Sequence, residues 1–411
     1  MRSHNTFCRR PGVPITVGIT LAVRCGLVWG CSLMLSACIT PLALDRAVIS
    51  YDESATNILS KQLILNIARA RYRQAIHFTG VSNIAATYNF QASAGVTPAL
   101  TGESGGLLAP IFGIGAAENP TISIVPIEGE EFTKRLLTPF AGDKVNLLLR
   151  QNYDIDLLLR LMVGELRMPR EGKDTAFHND PTDLVGYPQF RRVVLHLSSI
   201  QDSNDLYVEP LIFRRSWTLP AESMTPEGLR ALENDNITVE FDPHQRLYRI
   251  SGRVTGKIVI TNYDPSLLSD EEKIRMNEAA QKGPPNELTV DIRSGYPGGD
   301  WPFTGKLRLR SFLSILEFLG KTIEEPEYFV DKDPRTPEVA ENPNRTLEIL
   351  EEDDEPEGAS LPVKYRGRYY AVAPDPGYQW NAASFQLLHQ IFQLAVSELP
   401  RSIAPSITIA K

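Results

Sequence analysis

Hydrophobic periodicity changes several times along the chain, and each change marks an element. Over residues 51–73, Leu59, Leu63, Ile67 and Ala70 recur at helical spacing, with Ile58, Leu65 and Tyr72 beside them. Apolar coverage that broad predicts a helix buried in a core. From 86 to 96 the period falls to two: Tyr88, Phe90, Ala92, Ala94 and Val96 alternate with Thr87, Asn89, Gln91 and Ser93. Alternation returns over 121–125, after a Gly-rich stretch, 95–117, whose only charge is Glu103. Two amphipathic strands around such a loop predict a long hairpin over 86–125.

Helices are predicted at 129–140, with Glu130 and Glu131 early and Lys134 and Arg135 late, and at 144–166 through Leu147, Leu148, Ile155, Leu158, Leu159 and Met162. A polar loop over 168–187 separates them from a helix at 190–200. Strand patterns follow at 206–213, 237–241, 247–251 and 253–262, with a hairpin turn at 242–245. Ser269, followed by three acids, opens a helix over 269–282; then come a strand at 287–293, a tight turn at 296–301 and a helix at 307–322. Strands at 363–365 and 369–372 flank Gly367, and a last helix covers 383–399. The strand–loop–helix units at 288–322 and 363–399 look alike, with Ser311-Phe312 and Ser384-Phe385 seventy-three residues apart. Internal duplication and chance similarity of two apolar helices both account for that. The expected class is α+β: helices packed on antiparallel sheets.

Composition alters this picture at 324–361, where fourteen acidic side chains meet three basic ones. So little apolar surface predicts a flexible acidic loop. Asp331, Asp333, Asp353 and Asp354 lack the glycine and closing glutamate of a calcium loop. The whole chain carries −8, and residues 1–37 hold four arginines and no acid, so the remainder is near −12. That argues against nucleic acid or anionic lipid surfaces as general partners.

All four cysteines, Cys8, Cys25, Cys31 and Cys38, lie at or before the tetrapeptide Leu35-Ser36-Ala37-Cys38. Small residues before a cysteine at the end of an apolar run form a lipobox: cleavage falls between Ala37 and Cys38, and the thiol carries diacylglycerol. A membrane-spanning helix is the competing reading, but the uninterrupted apolar piece from 25 to 37 is shorter than the roughly 20 residues a span needs. The expected organisation is a signal peptide over 1–37, a lipidated tether over 38–48, a mostly helical part with the hairpin over 49–203, and an α+β part with the acidic loop over 204–411. Residues 23–37 form a complete signal alone, so 1–22 read as a mis-annotated start. Ile39, where an aspartate favours inner-membrane retention, points to the outer membrane, facing the periplasm.

The search for chemistry beyond Cys38 returns no catalytic, cofactor or metal set. His77, His178, His196, His244 and His389 are isolated in sequence, and no nucleophile elbow occurs. Tyr296, Trp301, Tyr378 and Trp380 sit in Gly/Pro-rich loops, where plugging the core is favoured over stacking sugars. Arg69, Arg71 and Arg73 suit the negative end of a helix dipole, with anion binding the alternative.

Several segments resemble a family of uncharacterised proteobacterial lipoproteins: Gln62-Leu63-Ile64-Leu65-Asn66-Ile67-Ala68-Arg69-Ala70-Arg71-Tyr72; Pro120-Thr121-Ile122 through Gly129-Glu130-Glu131-Phe132 and Leu136-Leu137-Thr138-Pro139; and Val363-Lys364-Tyr365-Arg366-Gly367-Arg368-Tyr369-Tyr370. The resemblance runs through most of the chain and carries no established activity. Ala383-Ser384-Phe385 stands where relatives have a Lys-Ser-Thr-Phe helix start, which implies a divergent branch. The expected function is a membrane-anchored, non-enzymatic binding or scaffold component of a cell-envelope assembly, with envelope proteins as partners. The alternatives are a carboxylate-dependent envelope glycan hydrolase and an oligomeric export pore built from hairpin 86–125.

Overall fold

The computed structural model describes residues 48–98, 108–170, 172–232, 237–375, 377 and 379–396, with the backbone alone over 81–98 and 108–125. The chain divides into two compact units, 1–59 and 60–411. In the first, the described residues 48–59 are helical; in the second, helix continues over 60–71, and the stretch 48–71 is called α1. Its buried positions Leu63, Ile64, Ile67 and Ala68 include residues of the predicted face.

Two long strands follow, β1 (Phe78–Pro98) and β2 (Leu108–Ile127), paired among the described residues only with each other, as an antiparallel ribbon. Helices α2 (Glu130–Leu137), α3 (Gly142–Leu149) and α4 (Ile155–Met162) come next. The single helix expected at 144–166 is thus corrected. Asn152, at φ 64°, closes a turn after α3, Asp154 caps α4, and at Val163 the chain becomes strand β3 (Val163–Arg170). The expected loop 168–187 also holds a strand, β4 (Lys173–His178). An apolar run buried on all sides has no period to separate helix from strand.

After α5 (Gly186–Asp202), β5 (Tyr207–Pro220), α6 (Pro226–Ala231), β6 (Ile237–Asp242), β7 (Leu247–Thr261), α7 (Asp270–Gln281), β8 (Glu287–Ile292) and β9 (Phe303–Leu309) complete a seven-stranded sheet. Its order is β4-β3-β9-β8-β7-β5, with β6 on the free half of β7. Only β7–β8 is parallel. Residues 307–309, expected as the start of a helix, belong to β9, and α8 (Phe312–Glu324) begins behind the cap of Ser311.

A small sheet, β10 (Ile349–Glu352), β11 (Ser360–Tyr365) and β12 (Arg368–Val372), precedes α9 (Trp380–Val396). Its order is β10-β12-β11. The duplicated helix start does not coincide: Ser311 caps α8, whereas Ser384 lies inside α9 and donates to the Thr346 carbonyl at 2.6 Å. The fold class is α+β, as expected.

Of the loop expected over 324–361, residues 325–348 and 353–359 contain no helix or strand, but Glu324 ends α8, and β10 and the first residues of β11 lie inside it, so the expected loop is corrected there. Its expected flexibility needs correction at its anchors, because Glu327, Val330, Thr336, Thr346 and Leu347 are buried. Composition counts apolar area; this loop is held by buried polar groups instead. Arg160 of α4 donates from Nε to Thr346 Oγ1 (2.9 Å), from Nη1 to the Pro343 carbonyl (2.8 Å), and from Nη2 to Glu327 Oε1 (3.1 Å) and the Asn344 carbonyl (2.9 Å). Thr346 in turn donates to Glu327 through its hydroxyl (2.8 Å) and its backbone N–H (2.6 Å). Tyr187 adds a fourth donor to that carboxylate at 3.1 Å.

Candidate functional site

Segments 62–72 and 120–139 both reach the base of the ribbon, and 363–370 packs on the end of α1. Gln62 and Asn66 stand one turn apart on α1 and meet the start of β1. Gln62 Nε2 donates to the Thr79 carbonyl (3.0 Å), and Oε1 accepts from the Thr79 N–H (2.7 Å). Asn66 does the same at His77, at 2.8 and 3.1 Å. Two side-chain amides on one helix face therefore imitate a neighbouring strand along the first residues of β1. Fully buried Asn66 must have such partners, since an unmet amide in the core costs about 1–3 kcal/mol. Arg69 reinforces the pair, donating to Asn66 Oδ1 (3.0 Å) and the His77 carbonyl (3.3 Å).

Phe78, wholly buried, stacks on Phe392 of α9 with ring centroids 4.4 Å apart, and meets Phe312 and Phe132 at 6.3 Å each. The end of α1 is pinned to the small sheet: Tyr72 and Tyr370 hydroxyls lie 3.1 Å apart, and both donate to Glu351 Oε1, at 3.3 and 2.7 Å. Arg71 pairs with the same carboxylate, and Arg366 lies over the Tyr72 ring at 4.8 Å. Burial, then the Tyr72 contact, pushes the Tyr370 hydroxyl up to about 12. Arg69 and Arg71 are thus occupied by hydrogen bonds and an ion pair. Beside them an open groove of about 630 Å³ runs between the end of α1 and α8, with Arg73 and Lys321 facing Glu317, Glu324 and Glu325. A cavity of about 210 Å³, lined by Ile76, Ile127, Phe132 and Leu136 among others, lies next to the ribbon's foot.

Above this base the ribbon continues for the rest of its length. The register runs from Phe78↔Ile127 to Pro98↔Leu108, shifting by one residue between Val81 and Asn83. Beyond the shift, Ile84↔Ile122, Phe90↔Ala116, Ala92↔Ile114, Ala94↔Phe112 and Val96↔Pro110 fall in one alternate set. The other set holds Thr87↔Asn119, Gln91↔Gly115, Ser93↔Gly113 and Thr97↔Ala109. The alternation read along 86–96 is therefore in phase with its partner strand. That phase match was invisible before the register was known. At about 3.3 Å per residue, the 21 residues of β1 extend roughly 70 Å.

A second concentration of charge lies inside the body. Asp156 receives Arg191 through both carboxylate oxygens, the longer contact being 3.3 Å, while Arg160 holds Glu327. Burial alone would push the Glu327 carboxyl up; Arg160, the two Thr346 donors and Arg191 outweigh it and hold the group below its ordinary value. Burial, then Glu327, pushes Tyr187 up. These acids are saturated with donors, and the cluster works as a clamp between α4, α5 and the acidic loop.

Cys38 and Ala37 lie outside the described residues, as do Glu103 and Tyr378. His196 is buried between the Thr336 hydroxyl (3.0 Å) and the Gly298 carbonyl (2.9 Å). His178 lies 3.9 Å from Glu165, and burial lowers His389. Trp301 and Trp380 plug the core as expected, while Tyr296 remains half exposed against Tyr263. No group of acids, histidines and cysteines among the described residues is arranged to hold a metal. No described helix is long and apolar enough to cross a membrane. Comparison with known proteins returned no matching family model, no similar curated protein and no similar solved structure.

Proposed function

We propose that this chain is a lipid-anchored, non-enzymatic binding or scaffold component of a bacterial envelope assembly, tethered through diacylglyceryl-Cys38 to the outer membrane and facing the periplasm. We place it with the uncharacterised proteobacterial lipoproteins that its three segments resemble. The observation that carries the reading is the ribbon: two strands of 21 and 20 residues, firmly rooted in the core, with no third strand among the described residues. An isolated two-stranded sheet is marginal in water, and unpaired strand edges recruit further strands. A protein that roots such an element with two helix amides and a cluster of phenylalanines supports it for a partner.

The test is capture. Full-length protein, crosslinked in cells, should bring down the same envelope components repeatedly, and replacing residues 81–125 by a short turn should remove them while the body still folds. Unchanged capture without the ribbon would sink this assignment. The in-phase register also favours the second reading, an export pore assembled from hairpin 86–125.

A further inference from the structure

We propose that the ribbon's partner is the ribbon of another copy of this chain, and that its distal part, residues 89–98 paired with 108–117, crosses a lipid bilayer as one hairpin of a multi-copy β-barrel. This rests on the assembly role given to the ribbon above and names its occupant.

Three features lead there. The first is the span. Tyr88 stands opposite Glu118, and beyond that pair the alternate set is apolar to the end of the ribbon, as in Phe90↔Ala116 and Ala94↔Phe112. From 89 to 98 is ten residues, and a transmembrane β-strand needs about 9–11. The other set, Asn89↔Ala117, Gln91↔Gly115, Ser93↔Gly113, Gly95↔Ile111 and Thr97↔Ala109, is small or polar except at Ile111, close to the composition of a barrel lumen.

The second feature is the edge. Pro98, Pro110 and Pro120 occupy the same alternate set above the register shift. A proline has no N–H to give its ladder partner, so this set is the one whose backbone N–H groups point out of the ribbon. On β1 that outward row runs from Ile84 to Val96 without a proline, and β1 contains no charged residue; on β2 the same row lacks an N–H at Pro110 and Pro120 and carries Glu118, so its open part within the span is Phe112 to Ala116. Natural edges are normally blunted by charges, prolines or a covering element. Here the Gln62 and Asn66 amides cover only Thr79 and His77.

The third is closure. Lipid offers no hydrogen bonds, so a spanning sheet must have no edges. One hairpin has two, running in opposite directions. The β1 edge of one copy and the β2 edge of the next are antiparallel when both point the same way, so repetition closes a ring. The smallest membrane barrels have about eight strands, or about four copies.

The experiment uses the full-length acylated protein, purified in detergent and reconstituted in phosphatidylethanolamine/phosphatidylglycerol vesicles loaded with a small dye. Mass photometry should show an assembly of about four or more copies, and the vesicles should leak. Ala92→Pro removes one outward N–H and leaves the ribbon's own ladder intact; it should reduce assembly and leakage at least tenfold with an unchanged thermal midpoint. Ile114→Asp, in the apolar set, should abolish leakage, and Thr87→Asp, in the polar set and outside the span, should not. A wild-type protein that stays monomeric and leaves vesicles sealed overturns the proposal, as does an Ala92→Pro variant that assembles normally. A monomer that still captures a different envelope protein through residues 81–125 overturns self-assembly and leaves the scaffold role standing.

Discussion

Asp154 and His196 pull the stability of the body in opposite directions as pH changes. Asp154 caps α4, accepting from the Asp156 N–H at 2.7 Å, yet burial, followed by its neighbour Asp156, raises its carboxyl from 3.8 to about 6. A raised carboxyl favours folding while protonated, and that contribution is lost as pH climbs through about 6. An asparagine at this position would cap as well without the charge. Asp154→Asn is therefore expected to stabilise above pH 6, by up to about 3 kcal/mol at roughly 1.4 kcal/mol per unit, and to gain nothing below pH 4. Urea midpoints at pH 4 and 7.5 read this out, and an equal gain at both would remove titration as the cause. For His196 the sign reverses. Burial lowers it from 6.5, against the Gly298 carbonyl, Asp333 and Asp300, which raise it, and alongside Arg335, which lowers it too. The unfolded chain then binds the proton more readily, so stability falls as pH drops below 6.5. His196→Gln should flatten that acid limb in the same titration.

Elements here are secured by contacts that propensity does not reveal. Helical spacing identified α1, but nothing in the pattern said that Gln62 and Asn66 would act as a substitute strand; the clue was only two amides one turn apart beside an apolar face. Within the second unit α8 crosses α1 so closely that a Cβ on Gly320 would sit 2.6 Å from the Arg71 N–H nitrogen and 2.9 Å from the Ile67 carbonyl. Gly320→Ala must push the two backbones apart, at about 1–3 kcal/mol. The expected readout is a lower urea midpoint together with faster amide exchange at 77–79, because α1 holds those residues; a loss of midpoint with exchange unchanged would show that the crossing and the ribbon's root are independent. The strand β3 was hidden for a different reason. Residues 155–166 are buried nearly throughout, and burial on every side erases the period that distinguishes a helix from a strand. Hairpin 86–125 was legible because its surfaces differ, although the pairing extends further, from 78 to 127.

At the scale of the molecule, the acidic loop and the ribbon show where composition misleads and where it informs. Fourteen acids in 38 residues look like a solvated arm, yet one of them, Glu327, is among the most buried carboxylates of the described residues. Average charge cannot show which single carboxylate meets a buried arginine. The near absence of charge along the ribbon, by contrast, belongs to its whole length and survives averaging. It makes membrane attachment separable into two sources, the acyl chain on Cys38 and the hairpin. A simple Cys38 substitution would leave the uncleaved apolar signal as an anchor, so the clean comparison replaces residues 1–38 by an ordinary cleavable secretory signal. Acyl labelling should then vanish completely, because no other thiol remains in the chain. Despite that loss, protein with an intact ribbon should stay with membranes through a carbonate wash, and deleting residues 81–125 as well should release it. Release by the signal exchange alone would mean that the lipid is the sole anchor and that the ribbon never enters a bilayer. Retention after both changes would place the attachment in the body, on a surface neither element supplies.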